Sequence, residues 1–203
     1  MSIASYSELK TAVGTWLHRS DITDQIPDFI ALAEAKIYRR LRIRAMELSF
    51  SSAIASGVIA VPTGYVELKH ARVDTNRSSP LARKSDEWVY HNYPVRSADG
   101  LPKFIAREAD NFIFGPYPDS TYTIKGVIFR RLSALSTSNT TNWFTANAPD
   151  VLLFGALCEA APYLGKDARI PIWEAKFSSV VDDIQRENDR EDASGSPPFM
   201  TAR

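Results

Sequence analysis

The feature that most constrains this chain is a double change of hydrophobic period. Apolar residues recur at helical spacing up to about residue 45. They alternate with period two from residue 46, and return to helical spacing after residue 149. A helix-patterned segment does not settle as a strand, nor a strand-patterned one as a helix. The order helices, strands, helices therefore leaves few architectures. The simplest joins the helices of the two chain ends in a four-helix bundle, with a β-rich antiparallel insertion in the middle. The expected fold class is α+β. One domain spans residues 1–190, with helices inside 5–45 and 149–190 and the insertion at 46–132. Residues 191–203 form a tail without periodicity, expected to be disordered when free.

Local signals place the elements. Ser5 and Glu8 have capping-box spacing, and Tyr6, Leu9, Val13, Trp16 and Leu17 share one helical face ending near His18. Asp21, Thr23 and Asp24 are N-cap candidates for a second helix, and Pro27 suits its first turn. Its apolar stripe is Ile26, Ile30, Ala33, Ile37 and Leu41, widened by Phe29. Strands are expected at 46–51, 58–61 and 65–73, then a loop at 76–80 and a short helix capped by Ser85 running to about Tyr93. Strands at 102–107, 111–114 and 121–131 read as a meander, because their connectors are short and turn-like. Ser133 to Asn142 reads as a Ser/Thr/Asn loop with little to bury. The helix after Pro149 is apolar on nearly all sides, so it is expected to be central. Pro162 to Asp167 turns the chain into a last helix, with Ile172, Trp173, Phe177, Val180, Val181 and Ile184 on its inner side.

Composition excludes several function classes. Of 203 residues, 24 are Lys or Arg and 24 are Asp or Glu, so the net charge is zero. That argues against a whole-surface nucleic-acid binder, though not against a local basic patch. The single cysteine, Cys158, rules out an internal disulfide framework and a multi-cysteine zinc site. The N-terminus lacks the basic and apolar regions of a secretory signal. The uncharged run of Leu48 to Val66 holds too many Ser, Gly and Pro residues for a membrane span. An intracellular globular protein without a membrane segment is expected.

Catalytic signatures are sparse. There is no phosphate-binding GxxxxGK[ST], GxGxxG or GxSxG motif, and His18, His70 and His91 lack metal-ligand spacing. No catalytic, metal or cofactor residue is assigned, and no cofactor is expected. Cys158 reads as a small buried thiol. Glu108 with Asp110, and Asp183 with Glu187, are the carboxylate pairs a hydrolase would need; the first sits in a turn and the second on a charged face. The aromatic residues of the middle region read as packing.

One charge feature stands out. Lys36, Arg39, Arg40, Arg42 and Arg44 follow one another on the polar side of the second helix with no acid between them. They suit phosphate contacts, an acidic neighbouring surface, or an offset to the helix dipole. A nucleic-acid-binding module using this basic helix, 36–44, is the alternative function.

Several segments in order carry a family resemblance. They are Tyr6-Ser7-Glu8-Leu9 with Trp16-Leu17, Ile26-Pro27-Asp28-Phe29-Ile30 with the Arg39–Arg44 end, and Val61-Pro62-Thr63-Gly64-Tyr65. Gly115-Pro116-Tyr117-Pro118, Asn142-Trp143-Phe144 before Pro149-Asp150, the run Leu153 to Leu164, and Trp173-Glu174-Ala175-Lys176-Phe177 complete the set. Together they resemble the head-to-tail adaptor (connector, head-completion) proteins of tailed bacteriophages and gene transfer agents. The resemblance implies a structural, non-enzymatic protein of the virion neck, made in the host cytoplasm. It implies a homo-oligomeric ring, commonly of twelve copies, between the portal protein and the tail or nozzle proteins. Genomic DNA would pass through the ring without sequence specificity. Lys36, Arg39, Arg40, Arg42 and Arg44 would then face the DNA channel or a neighbouring subunit. Pro197, Pro198, Phe199 and Met200 would dock on the portal.

Overall fold

The structure, a computed structural model, describes residues 3–194 other than 55, 76–78, 98 and 166. It has the expected α+β class. The chain divides into two compact units, residues 1–45 with 132–203, and residues 46–131.

The first unit is helical. It contains α1 (Tyr6–Leu17), α2 (Ile26–Arg40), α4 (Trp143–Asn147), α5 (Pro149–Glu159), α6 (Ala161–Leu164) and α7 (Ile170–Ala193). The second holds β1 (Glu47–Ile54), β2 (Val58–Ala60), β3 (Tyr65–Val73), β4 (Ser79–Pro80), β5 (Ala82–Arg83), α3 (Asp86–Asn92), β6 (Phe104–Glu108), β7 (Asn111–Gly115) and β8 (Tyr122–Arg130).

In the helical unit, α5 is the centre. It packs on α1, α2, α4 and α7, and seven of its residues from Val151 to Cys158 are buried. A helix apolar on every side has no solvent face, so other helices must enclose it. Gly155 permits the closest approach. A Cβ there would lie 2.9 Å from Ala33 Cβ on α2 and 3.2 Å from the Phe177 ring on α7. The far end of the bundle is clipped by two arginines. Arg19 pairs with Asp21 and donates to the Tyr163 carbonyl at 2.6 Å. Arg169 pairs with Asp167 at 2.7 Å and donates to the Trp16 carbonyl at 2.9 Å.

Helix ends follow side-chain chemistry. Ser5 caps α1 by accepting from the Glu8 N–H, and the Glu8 carboxylate accepts from the Ala4 N–H at 2.7 Å. None of Asp21, Thr23 and Asp24 caps α2; Gln25 holds that position, in αR geometry without a side-chain cap. The Thr23 hydroxyl instead donates to the Ser20 carbonyl in the turn before it. The basic run is not one helix over 36–44. α2 stops at Arg40, and Leu41 has extended backbone. Leu41 and Ile43, two residues apart, are both buried, a spacing that puts them on one face of extended chain.

The second unit is two four-stranded sheets in the orders β1-β8-β3-β4 and β2-β7-β6-β5. Their inner faces share a core containing Ile54, Ile59, Leu68, Ile105, Phe112, Phe114, Ile124 and Ile128. The expected meander holds only for β6 and β7, which pair from Phe104↔Gly115 to Glu108↔Asn111. β8 lies in the other sheet, between β1 and β3. Strand length explains this. Nine-residue β8 finds full-length partners in eight-residue β1 and nine-residue β3, whereas β7 has five residues. One pair, β5 with β6, is parallel. Ser79 and Pro80, expected in a loop, pair with Val73 and Arg72. Ser85 caps α3 as expected, accepting from the Trp88 N–H.

Replacing Gly155 by Ala sets a helix-propensity gain of about 1 kcal/mol against an overpacking cost of about 1–3 kcal/mol. The Ala33 Cβ is fixed to backbone and Phe177 is buried, so the clash dominates. Urea unfolding is expected to show G155A destabilised, with A33G/G155A recovering part of the loss.

Candidate functional site

The five cations singled out in the sequence lie in two settings. Lys36, on α2, donates to Glu159 of α5 at 3.0 Å, and its ammonium stands 5.1 Å from the Phe177 ring centre. Arg40 stacks on that ring at 5.5 Å. Arg39 is exposed on the last turn. Beyond the helix, Arg42 turns back to donate to the carbonyls of Tyr38 at 2.9 Å and Leu41 at 2.7 Å. Arg44 extends to Asp192 on α7 at 3.8 Å.

Residues 41–43 leave helical form, a 3-10 turn follows at Arg44–Met46, and α7 bonds the backbone of this segment. Gln185 accepts from the Arg42 N–H at 3.2 Å and donates to the Arg42 carbonyl at 3.4 Å. Buried Asn188 accepts from the Arg44 N–H at 2.7 Å. Two polar side chains of the acid-rich helix thus satisfy backbone groups that leave helical bonding. Four of the five cations are engaged within the chain, and Arg39 alone of them projects without a hydrogen bond among the described residues.

Glu34 was missed as a key residue by sequence reasoning. It is 4% exposed and accepts from the Leu135 N–H at 3.2 Å and from the Asn142 amide at 3.1 Å. Burial raises its pKa above the ordinary carboxylate range, while these two donors pull it back. Leu135 is buried, and the Thr140 carbonyl accepts from the Tyr6 N–H at 2.7 Å. The Ser/Thr/Asn loop is therefore tied down, not an idle linker. The available signal was position: Glu34 falls on the apolar stripe between Ile30 and Ile37.

The residues considered for chemistry sit in packing or solvent roles. Burial pushes the Cys158 thiol up to about 11. Glu108 accepts the Tyr90 hydroxyl at 2.9 Å, and Asp183 pairs with Arg186 at 3.3 Å. Phe112 and Phe114 are fully buried, and Trp88 packs on Phe104 at 4.7 Å. No cluster of three or more His, Cys, Asp or Glu residues able to hold a metal occurs among the described residues. No helix in the described residues is long and apolar enough to cross a membrane.

The model of one family, the SU10 adaptor protein, matches residues 4–199. The chain belongs to the SU10 adaptor protein family. This is a family of phage head–tail adaptors, so the adaptor is a structural component of a virion, as the ordered segments implied. Comparison with curated proteins finds no match. Pro197, Pro198, Phe199 and Met200 lie outside the described residues. In the adaptor, α7 spans Ile170–Ala193; Trp173, Phe177, Val181 and Ile184 are buried on its inner side as expected, whereas Ile172, expected there too, is exposed.

Three outcomes follow for the adaptor's buried groups. Glu34→Ala leaves the buried Leu135 N–H without its acceptor, at a cost of about 1–3 kcal/mol. Hydrogen exchange at Leu135 is expected to rise with that loss. The Glu34 pKa is raised in the fold, so its contribution is complete below about pH 4.3 and declines as pH rises through the folded value. Wild-type stability relative to Glu34→Gln is therefore expected to fall over that window. Cys158, with on the order of a thousandth of its thiol ionised at pH 8, is expected to react with a thiol reagent only on unfolding.

Proposed function

We propose that the adaptor forms a ring of twelve copies in the virion neck, between the portal protein and the tail or nozzle proteins. The ring extends the channel through which genomic DNA passes and gives the tail its docking surface. The family match across nearly the whole chain is the observation that carries this reading. On this reading the protein acts by assembly and not by catalysis.

Surface features support it. The helical unit exposes large apolar side chains: Trp16 at 42%, Leu32 at 52%, Tyr163 at 49% and Ile172 at 57%. Exposed apolar groups of this size suit faces that neighbours cover. A ring needs two different faces on each copy, because head-to-tail contacts close only when unlike surfaces meet. Arg39 and Arg40, exposed at the end of α2, suit one face. The exposed acids Asp182, Asp183, Glu187 and Asp189 of α7 suit the other. Pro197, Pro198, Phe199 and Met200 supply the stiff and apolar groups for docking on the portal.

Quantitative mass spectrometry of purified, DNA-containing particles tests this. Copies of the adaptor are expected in a simple ratio to copies of the portal protein. Absence from the particles, or a trace amount, would overturn the proposal.

A further inference from the structure

The basic residues that catch the eye in the sequence are mostly occupied, but a second set is not. At the end of the sandwich bearing the Val61–Tyr65 turn, the inner rows of both sheets finish in arginine. Along β8 the buried residues Ile124 and Ile128 are followed, two places on, by Arg130. Along β6, buried Ile105 is followed by Arg107. Alternation of side chains puts each arginine on the face of the core residue before it, where the core opens to solvent.

Tyr65 organises this opening. It lies opposite Arg130 in the β3–β8 register. Its ring meets Phe112 edge-on at 5.6 Å and carries the Arg107 guanidinium at 4.6 Å. Arg107 Nε donates to the Ala109 carbonyl at 3.0 Å, which fixes the guanidinium in place. Arg131, just past β8, is anchored by its N–H on the Gly64 carbonyl at 2.9 Å. Its side chain lines a cleft of about 400 Å³ together with Tyr65, Arg107 and Asp110.

The charge balance of this end is uneven. Arg107, Arg130 and Arg131 are all exposed, and none forms an ion pair among the described residues. Asp110 is the one carboxylate lining the cleft, and neighbouring Glu108 is held by Tyr90. Elsewhere in the sandwich Lys69, Arg83 and Lys125 are neutralised by Glu47, Glu67 and Asp74. Two arginines against one carboxylate in the cleft, with exposed Arg130 next in the chain, favour an anion, and planar guanidinium suits phosphate oxygens.

We infer that this end of the sandwich contacts the phosphate backbone of duplex DNA without reading its sequence. The choice of DNA rests on the proposed placement of the adaptor around the DNA channel. The choice of backbone contact rests on Tyr65. Phe112 and Arg107 already occupy its ring, so no aromatic platform is left to stack a base. The assignment places the DNA-facing charge on Arg107, Arg130 and Arg131, and leaves Arg39 and Arg40 to a protein neighbour.

Fluorescence anisotropy of the full chain with a labelled mixed-sequence duplex of about 30 base pairs, across a salt series, tests this. Wild type is expected to bind at low salt, independently of sequence. R107A/R130A/R131A is expected to bind more weakly, with a log–log salt slope shallower by about 2–3, since each phosphate contact carries about 0.9. R131A alone, which keeps the Arg107–Tyr65 packing, is expected to lose about 1 from the slope and serves if the triple variant misfolds. R39A/R40A is expected to match wild type. No binding by wild type at about 20 mM salt, or an unchanged slope in both variants, would overturn the inference. Particle copy number separates the two readings. Neck stoichiometry with a DNA-inert sandwich end overturns only this contact. DNA binding by a chain absent from particles overturns the ring.

Discussion

The helical unit depends on the enclosure of α5. A helix with no polar face cannot fold alone, and its partners here come from both chain ends: α1 and α2 before the β segment, α7 after it. This requirement draws residues far apart in sequence into one core and obliges the β segment to return the chain close to where it left. The tight contact at Gly155 follows, since three helices can approach that closely only where one lacks a side chain. Stability in this unit is therefore a property of packing, with capping a smaller contribution at α1 and α4.

Most elements were legible because each has a local cause. Ser5 and Ser85 announce the starts of α1 and α3, and the third strand is observed at the expected 65–73. What was not legible is pairing across distance. Nothing local distinguishes a meander from a strand that leaves for the opposite sheet, and only the match of strand lengths favours β8 between β1 and β3. The end of α2 was misplaced for a related reason. Leu41 continues a helical stripe from Ile37, yet with Ile43 it also begins an alternating one, and Gln185 and Asn188 of α7 bond the backbone of Arg42 and Arg44 there.

The candidate surfaces show the same division. Density of charge along the sequence pointed to Lys36 through Arg44, where the fold supplies Glu159, Asp192 and backbone carbonyls as partners. At the open end of the sandwich Arg107 is more than twenty residues from the Arg130–Arg131 pair, and sequence density does not group them. They meet because two strand ends and a turn converge. Glu34 stands on the apolar stripe between Ile30 and Ile37, a position that signals burial but names no partner. Only the side it faces reveals that it holds a loop.

The pairing of β1 with β8 has a consequence for the architecture as a module. These strands begin and nearly end the inserted segment, and Glu47 lies opposite Phe129 in their register. The points at which the chain enters and leaves the sandwich are thus hydrogen-bonded neighbours. For the helical unit, the long excursion closes like a short loop, and its entropic cost grows only logarithmically with the residues inside. Residues can be gained or lost at the far turns of the sandwich while α2 and α4 are still delivered to the same place. An adaptor built this way can remodel what it shows to its surroundings without renegotiating its helical core.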